Sequence, residues 1–161
     1  MALAACTPAL DWRDVMPDGA GLQMQFPCKP NRQSRDIRLA GQRVNLTLHA
    51  CAAAGLTWGL AVADVVDPAL VGPALTELAA SAAANLGAAA GATLPLRVVG
   101  ATPSAAAGRQ LLTGKLPDGK SVQMQMAVFT RGTRVYQASV LGGRVTDDAA
   151  QTYFDAMRFS P

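Results

Sequence analysis

Hydrophobic and polar residues alternate along several short stretches of the chain. Leu22, Met24 and Phe26 hold every second position and predict a strand that Pro27 stops. The period of two continues over Ser34 to Leu39 and over Gln42 to His49. Ile37 and Leu39 share one face of the first stretch; Val44, Leu46 and Leu48 share one face of the second. Ala40-Gly41 between them is the expected hairpin turn. Trp58, Leu60 and Val62 set a fourth strand over 56–64. The period then lengthens: Val71, Leu75, Leu78, Ala82 and Leu86 recur at helical spacing. Asp67-Pro68 supplies an N-cap and a first turn, and Gly87 and Gly91 bracket the end, so the spacing predicts a helix over about 69–89.

The second half returns to strands, expected over 94–99, 108–116, 122–130 and 134–141. Pro117-Asp118-Gly119 and Arg131-Gly132-Thr133 mark tight turns, and Gly142-Gly143 ends the run. Val122, Met124, Met126 and Val128 fall on one face, which assigns the alternating methionines, Met24 included, to the core rather than to a binding surface. Thr146-Asp147 opens a last helix to about Met157, with Ala150, Tyr153, Phe154 and Met157 inward. The order β-β-β-β-α-β-β-β-β-α has too few helices for a doubly wound sheet. The expected fold is α+β, a mainly antiparallel sheet flanked by two helices. Residues 21–161 make one such domain. Residues 1–20, with Pro8, Pro17, Asp18 and Gly19, read as a tether or a cap, Trp12 tucked against the domain.

Composition narrows the function. A length of 161 residues suits one domain, and a half-hydrophobic chain with 16% charged residues is not intrinsically disordered. The net charge of +3 comes without a long basic block or an aromatic-basic platform, which argues against nucleic acid as a partner. No run of 18 uncharged apolar residues occurs. One histidine, His49, rules out a multi-histidine site, and three cysteines at these spacings fit no zinc pattern, so no metal or cofactor is expected.

The chain opens Met1-Ala2-Leu3-Ala4-Ala5-Cys6. Leu3-Ala4-Ala5-Cys6 resembles the lipobox of bacterial lipoproteins, in which a peptidase cuts before the cysteine and acyl chains are placed on it. The small residues give the peptidase access to an extended backbone. The charged and apolar stretches of such a signal are missing ahead of Leu3, so the resemblance expects a chain trimmed near the cleavage site or a start further upstream. It implies lipidation of Cys6 and an anchor in the cell envelope, several acyl chains giving stable membrane attachment. Thr7 in place of an aspartate points to the outer membrane, facing the periplasm. The other reading is a chance cysteine in a cytosolic N-terminus.

Setting Cys6 aside leaves an even pair, Cys28 and Cys51. Pairing about Ala40-Gly41 puts residue 51 opposite residue 30, so Cys28 lies about two positions from the partner of Cys51, within reach of a disulfide once the loop bends. A bridge there implies an oxidising compartment; two buried free thiols are the alternative.

The order of elements resembles the PsbP/Mog-like fold of photosystem II extrinsic proteins, a Ran-binding import factor and DcrB-type bacterial lipoproteins. Phe26-Pro27-Cys28-Lys29-Pro30 is similar to the Phe-Pro-x-Lys-Pro phrase of bacterial envelope members. Gly100-Ala101-Thr102-Pro103 leading to Gly108-Arg109 is similar to their Gly-x-Pro-Gly-Arg connection, with an alanine-rich insertion. These families share no one activity, so the resemblance implies binding or scaffolding.

Residues that could carry chemistry read mostly as structural. His49 falls on the polar strand face with Asn45 and Thr47 and is expected at the surface, and no Gly-x-Ser-x-Gly elbow accompanies it. Asp64 and Asp67 flank a strand-to-helix junction, and Asp147-Asp148 a helix start, where carboxylates cap. A hydrolase using aspartates with a serine or threonine is the enzymatic alternative. The less ordinary feature is basic: Lys29, Arg32, Arg35, Arg38 and Arg43 face only Asp36 between positions 29 and 43. Lys29, Arg32, Arg38 and Arg43 are the candidate binding surface, for anionic headgroups or an acidic envelope protein. The expected function is that of a non-enzymatic, lipid-anchored envelope protein active in protein binding or envelope assembly. A cytosolic protein-interaction module with free thiols is the further alternative.

Overall fold

In the computed structural model, which describes residues 10–89 and 91–161, these periodic segments take up their elements except the strand expected over 94–99. Cys6 lies outside the described residues. The strands are β1 (Arg13–Val15), β2 (Leu22–Phe26), β3 (Asn31–Leu39), β4 (Gln42–Ala53) and β5 (Leu56–Asp64), then β6 (Ala92–Leu94), β7 (Gly108–Lys115), β8 (Ser121–Arg131), β9 (Arg134–Gly142) and β10 (Arg158–Phe159). Helix α1 (Val71–Asn85) follows β5, and α2 (Asp147–Asp155) follows β9. Two of the strands, β1 and β10, carry no periodicity to announce them, being three and two residues long.

Tight turns set the register. Ala40 and Gly41 both have positive φ, 50° and 78°, as the mirror-image turn between twisted strands requires. Alanine bears this conformation with its N–H donating to Glu77 Oε2 of α1 at 2.8 Å. The turn pairs Leu39 with Gln42 and runs the ladder out to Asn31 and Ala50. Ala54-Gly55 repeats the device between β4 and β5, with φ of 54° and 73°. The large sheet has the order β3-β4-β5-β9-β8-β7-β6, with every neighbouring pair antiparallel. A small sheet, β1-β2-β10, is antiparallel as well. The fold is α+β.

Alternation sends the two faces of the large sheet to different cores. One face packs Leu39, Val44, Ala63, Met126, Val128 and Val135 under α1. The buried stripe of α1 is Ala74, Leu75, Leu78 and Ala82, with Leu86 just beyond. The helix ends earlier than its apolar spacing predicts. Gly87, at φ 58°, closes a Schellman motif in which Ala88 N bonds Ala83 O and Gly87 N bonds Ala84 O. The other face packs Trp58, Leu60, Phe129, Tyr136 and Val140 under the small sheet and α2, which contribute Leu22, Met24, Phe26, Tyr153 and Phe154. All four residues assigned inward on the last helix, Ala150, Tyr153, Phe154 and Met157, are buried. Two buried hydroxyls tie the layers: Tyr136 donates to Ala20 O at 2.5 Å and Tyr153 to Gly59 O at 2.7 Å.

One reading is corrected and one alternative is decided. Strand β6 stops at Leu94, because Pro95 has no N–H to continue the ladder; Val99 makes only an isolated bridge to Arg158. Residues 10–20 pack as a cap, one of the two readings open for this segment. β1 pairs with β2, Trp12 meets Trp58 edge to face at 5.4 Å, and Ala20 is fully buried.

Candidate binding surface

The basic cluster lies on the free edge of the large sheet. Cross-strand partners share a face, and Arg38 stands opposite Arg43, Asp36 opposite Asn45, and Arg32 opposite His49. Arg32, Arg38 and Arg43 are therefore brought onto one face of the β3–β4 hairpin, all exposed, with Lys29 exposed in the approach to β3. Arg35 points to the opposite face, beside Leu46. Asp36 neutralises only Arg43, at 2.8 Å between exposed side chains, and also accepts from Asn45 Nδ2 at 3.1 Å. These donors hold the Asp36 carboxyl below its ordinary value, the Asn45 bond most, then Arg43. Arg38 reaches the carbonyl of Gly41 at 3.2 Å. An exposed pair of this kind is screened by solvent and contributes little, so the cluster keeps most of its charge available to a partner.

Cys28 and Cys51 are joined in a disulfide with 6.0 Å between their Cα atoms. Cys28 follows β2 of the small sheet, and Cys51 lies on β4 of the large one. The bridge thus clamps the two sheets together at one end of their shared core, where both sulfurs pack against it.

His49 is on the strand face that alternation assigned, but it is buried, with only 4% of its surface exposed. The expectation of a surface histidine fails because the Pro17–Gly19 corner folds over this part of the sheet, an event no local periodicity encodes. The Nε2 atom has no hydrogen-bond partner among the described residues. Burial holds the imidazole pKa below its ordinary value; the Asp18 backbone carbonyl pulls it up and the Arg32 charge pushes it further down. The unfolded chain therefore takes up this proton at higher pH than the folded protein. The neutral ring's contribution is complete above about pH 6.5 and is lost as pH falls below it. With one histidine in the chain, calorimetry between pH 7.5 and 5 should show a fall in Tm that His49→Gln flattens. An equal fall in both proteins would place the response elsewhere.

The aspartates take structural roles. Asp64 Oδ1 accepts from Val66 N at 2.8 Å and from the Thr133 hydroxyl at 2.7 Å, tying the corner after β5 to the β8–β9 turn. It borders an open hollow of about 410 Å³ with Thr133 and Arg134. Asp67 Oδ1 accepts from Ala69 N at 2.9 Å and caps the short 3-10 turn ahead of α1. Asp147 and Asp148 fill the first turn of α2, where negative charge meets the positive helix end. The cap residue Thr146 makes no side-chain bond there. Among the described residues, no three of His, Cys, Asp and Glu gather as a metal would need, and no helix is long and apolar enough to cross a membrane.

A buried polar cluster escaped the sequence reading. Arg109 of β7 is buried, with no carboxylate in ion-pair contact among the described residues. Its guanidinium lies 4.3 Å over the Phe154 ring, and Nη2 donates to Gln125 Oε1 at 2.5 Å. Burial lowers the Arg109 pKa, and the charges of Asp155 and Asp147 oppose this. The signal was present in Gln123 and Gln125, which alternate with the methionines of β8 and so had to face α2. An open groove of about 700 Å³ runs between this helix and the small sheet, with Asp14, Gln25, Thr152, Asp155 and Arg158 in its walls. The chain matches no protein-family model, and no curated protein is significantly similar to it in sequence.

Proposed function

We propose that this protein is a lipid-anchored component of the bacterial cell envelope that binds another envelope protein and performs no catalysis. The observation that carries the reading is the Cys28–Cys51 bridge. Structural disulfides belong to oxidising compartments. The bridge leaves Cys6 as the remaining cysteine of three, inside Leu3-Ala4-Ala5-Cys6, the context in which lipoproteins are acylated. Acyl chains on Cys6 anchor the domain, and Thr7 favours the outer membrane, with the domain facing the periplasm. The α+β arrangement, two helices on a mainly antiparallel sheet, supports reading the fold as PsbP/Mog-like and DcrB-type. That kinship favours binding or assembly over a reaction. The exposed arginines of the β3–β4 hairpin offer the contact surface.

The test is metabolic labelling with radioactive palmitate in a bacterial host expressing the whole open reading frame. The native protein should take up label and fractionate with the outer membrane. Cys6→Ala should lose both label and membrane association. A native protein without label, or label that survives Cys6→Ala, overturns the anchor.

A further inference from the structure

We infer that the outer edge of β3 takes up an extended, acidic segment of a partner protein as an added strand. The inference rests on the protein-binding reading above and names the place and the chemistry of the contact.

Among the described residues, β3 ends the large sheet and no strand lies beyond it. The two-residue turn makes Leu39 and Gln42 the hydrogen-bonded pair that closes the hairpin, and bonded and unbonded pairs alternate from there. Residues 31, 33, 35, 37 and 39 therefore bond to β4. Arg32, Ser34, Asp36 and Arg38 turn their N–H and C=O groups outward, over nine residues of unbroken strand. An open edge of this length is a template for another strand.

The side chains define what the template accepts. On one face, Arg32 and Arg38 flank the row, and Asp36 is already engaged by Arg43 and Asn45. On the other face, Arg35 stands beside Leu46 and Leu48. Leu48 is 39% exposed, because α1 does not reach it. Gln33, Ser34, Arg35, Leu46 and Leu48 line a hollow of about 180 Å³ against the edge. A complementary strand places carboxylates opposite Arg32 and Arg38, and on its other face an apolar side chain over Leu48.

Charge also argues against a second copy as occupant. Two antiparallel β3 strands in full overlap would put Arg35 against Arg35 and Arg32 against Arg38 twice, a like-charge arrangement that destabilises pairing. Arginines on an edge guard against self-association. The same residues draw in a segment of opposite sign.

The test uses the purified, disulfide-bonded protein and a displayed library of random nine-residue peptides, the winners being remade with a fluorophore for anisotropy. Alternating acidic and apolar sequences should be enriched. Their affinity should fall about tenfold in the Arg32→Glu/Arg38→Glu double variant. Ser34→Pro removes one outward N–H and none of the bonds to β4, so it should abolish binding, whereas Ser34→Ala, which loses the same hydroxyl contact to Thr47, should retain it. Unchanged far-ultraviolet circular dichroism certifies that each variant is folded. No enrichment, winners indifferent to Ser34→Pro, or binding to phosphatidylglycerol vesicles without binding to any peptide overturns the inference. Palmitate labelling decides the anchor separately, so either idea can fail alone.

Discussion

Replacing Cys28 and Cys51 together with alanine lowers the melting temperature by roughly 6–12 °C. The two cysteines are 23 positions apart, and freeing a loop of that size restores about 3 kcal/mol of chain entropy to the unfolded state. In a domain of this length each kcal/mol moves Tm by about 2–4 °C. The loss has a definite place. The bridge joins the end of β2 to β4, so hydrogen exchange should quicken first in the small sheet, while the strands under α1 keep their protection. Treating the native protein with dithiothreitol should reproduce both effects. A reductant-insensitive Tm, matched by an unchanged double variant, would show that the clamp adds nothing to the packing.

A larger loss is expected of Trp58→Ala, about 3–5 kcal/mol. The indole is fully buried and is the hub of the core between the sheets. It meets Trp12 at 5.4 Å and Tyr153 at 5.3 Å, both edge to face, and its N–H donates to Ala53 O at 3.3 Å. Alanine removes the ring shared by β5, α2 and the segment leading into β1, and residues from three separate parts of the chain cannot all close in on the gap. The melting point should fall by roughly 6–20 °C, and Trp58→Phe should recover part of the difference. Trp58 stands directly opposite Cys51, so its loss and that of the bridge act on the same contacts. The triple variant should be destabilised by less than the two effects summed. Strict additivity, measured by urea titration, would mean that the clamp and the aromatic cluster work independently.

Much of this architecture is legible in the sequence because the information is local. A two-residue turn between alternating segments fixes pairing and facing at once, so Ala40-Gly41 alone specifies which residues of β3 and β4 are neighbours. The helix stripe from Leu75 to Leu86 and the inward set of α2 follow from spacing in the same way. The short strands are invisible, since three residues such as Arg13, Asp14 and Val15 carry no period; they are strands because β2 lies beside them. The edge arginines are legible as a charge cluster, and their common face follows from the hairpin register. The burial of His49 is not legible, because the Pro17–Gly19 corner that covers it comes from about thirty residues away and leaves no mark on the pattern around position 49. Arg109 shows the same limit. Its environment is made by Phe154 and Gln125, distant in the chain, and only the glutamines of β8 hint that this part of the core is polar.

Leu22 pairs with Phe159 and Gln23 with Arg158, so the small sheet is built from both extremities of the domain. Synthesis proceeds from the amino end, so β2, with β1 already beside it, must wait for almost all of the domain before its second partner, β10, exists. The sulfurs need only the first third of the sequence and can be oxidised long before that. Folding is thus set up as an early covalent staple followed by a late zipping-up. A polypeptide stalled before Phe159 would leave one edge of β2 unpaired, with Leu22, Met24 and Phe26 less well covered.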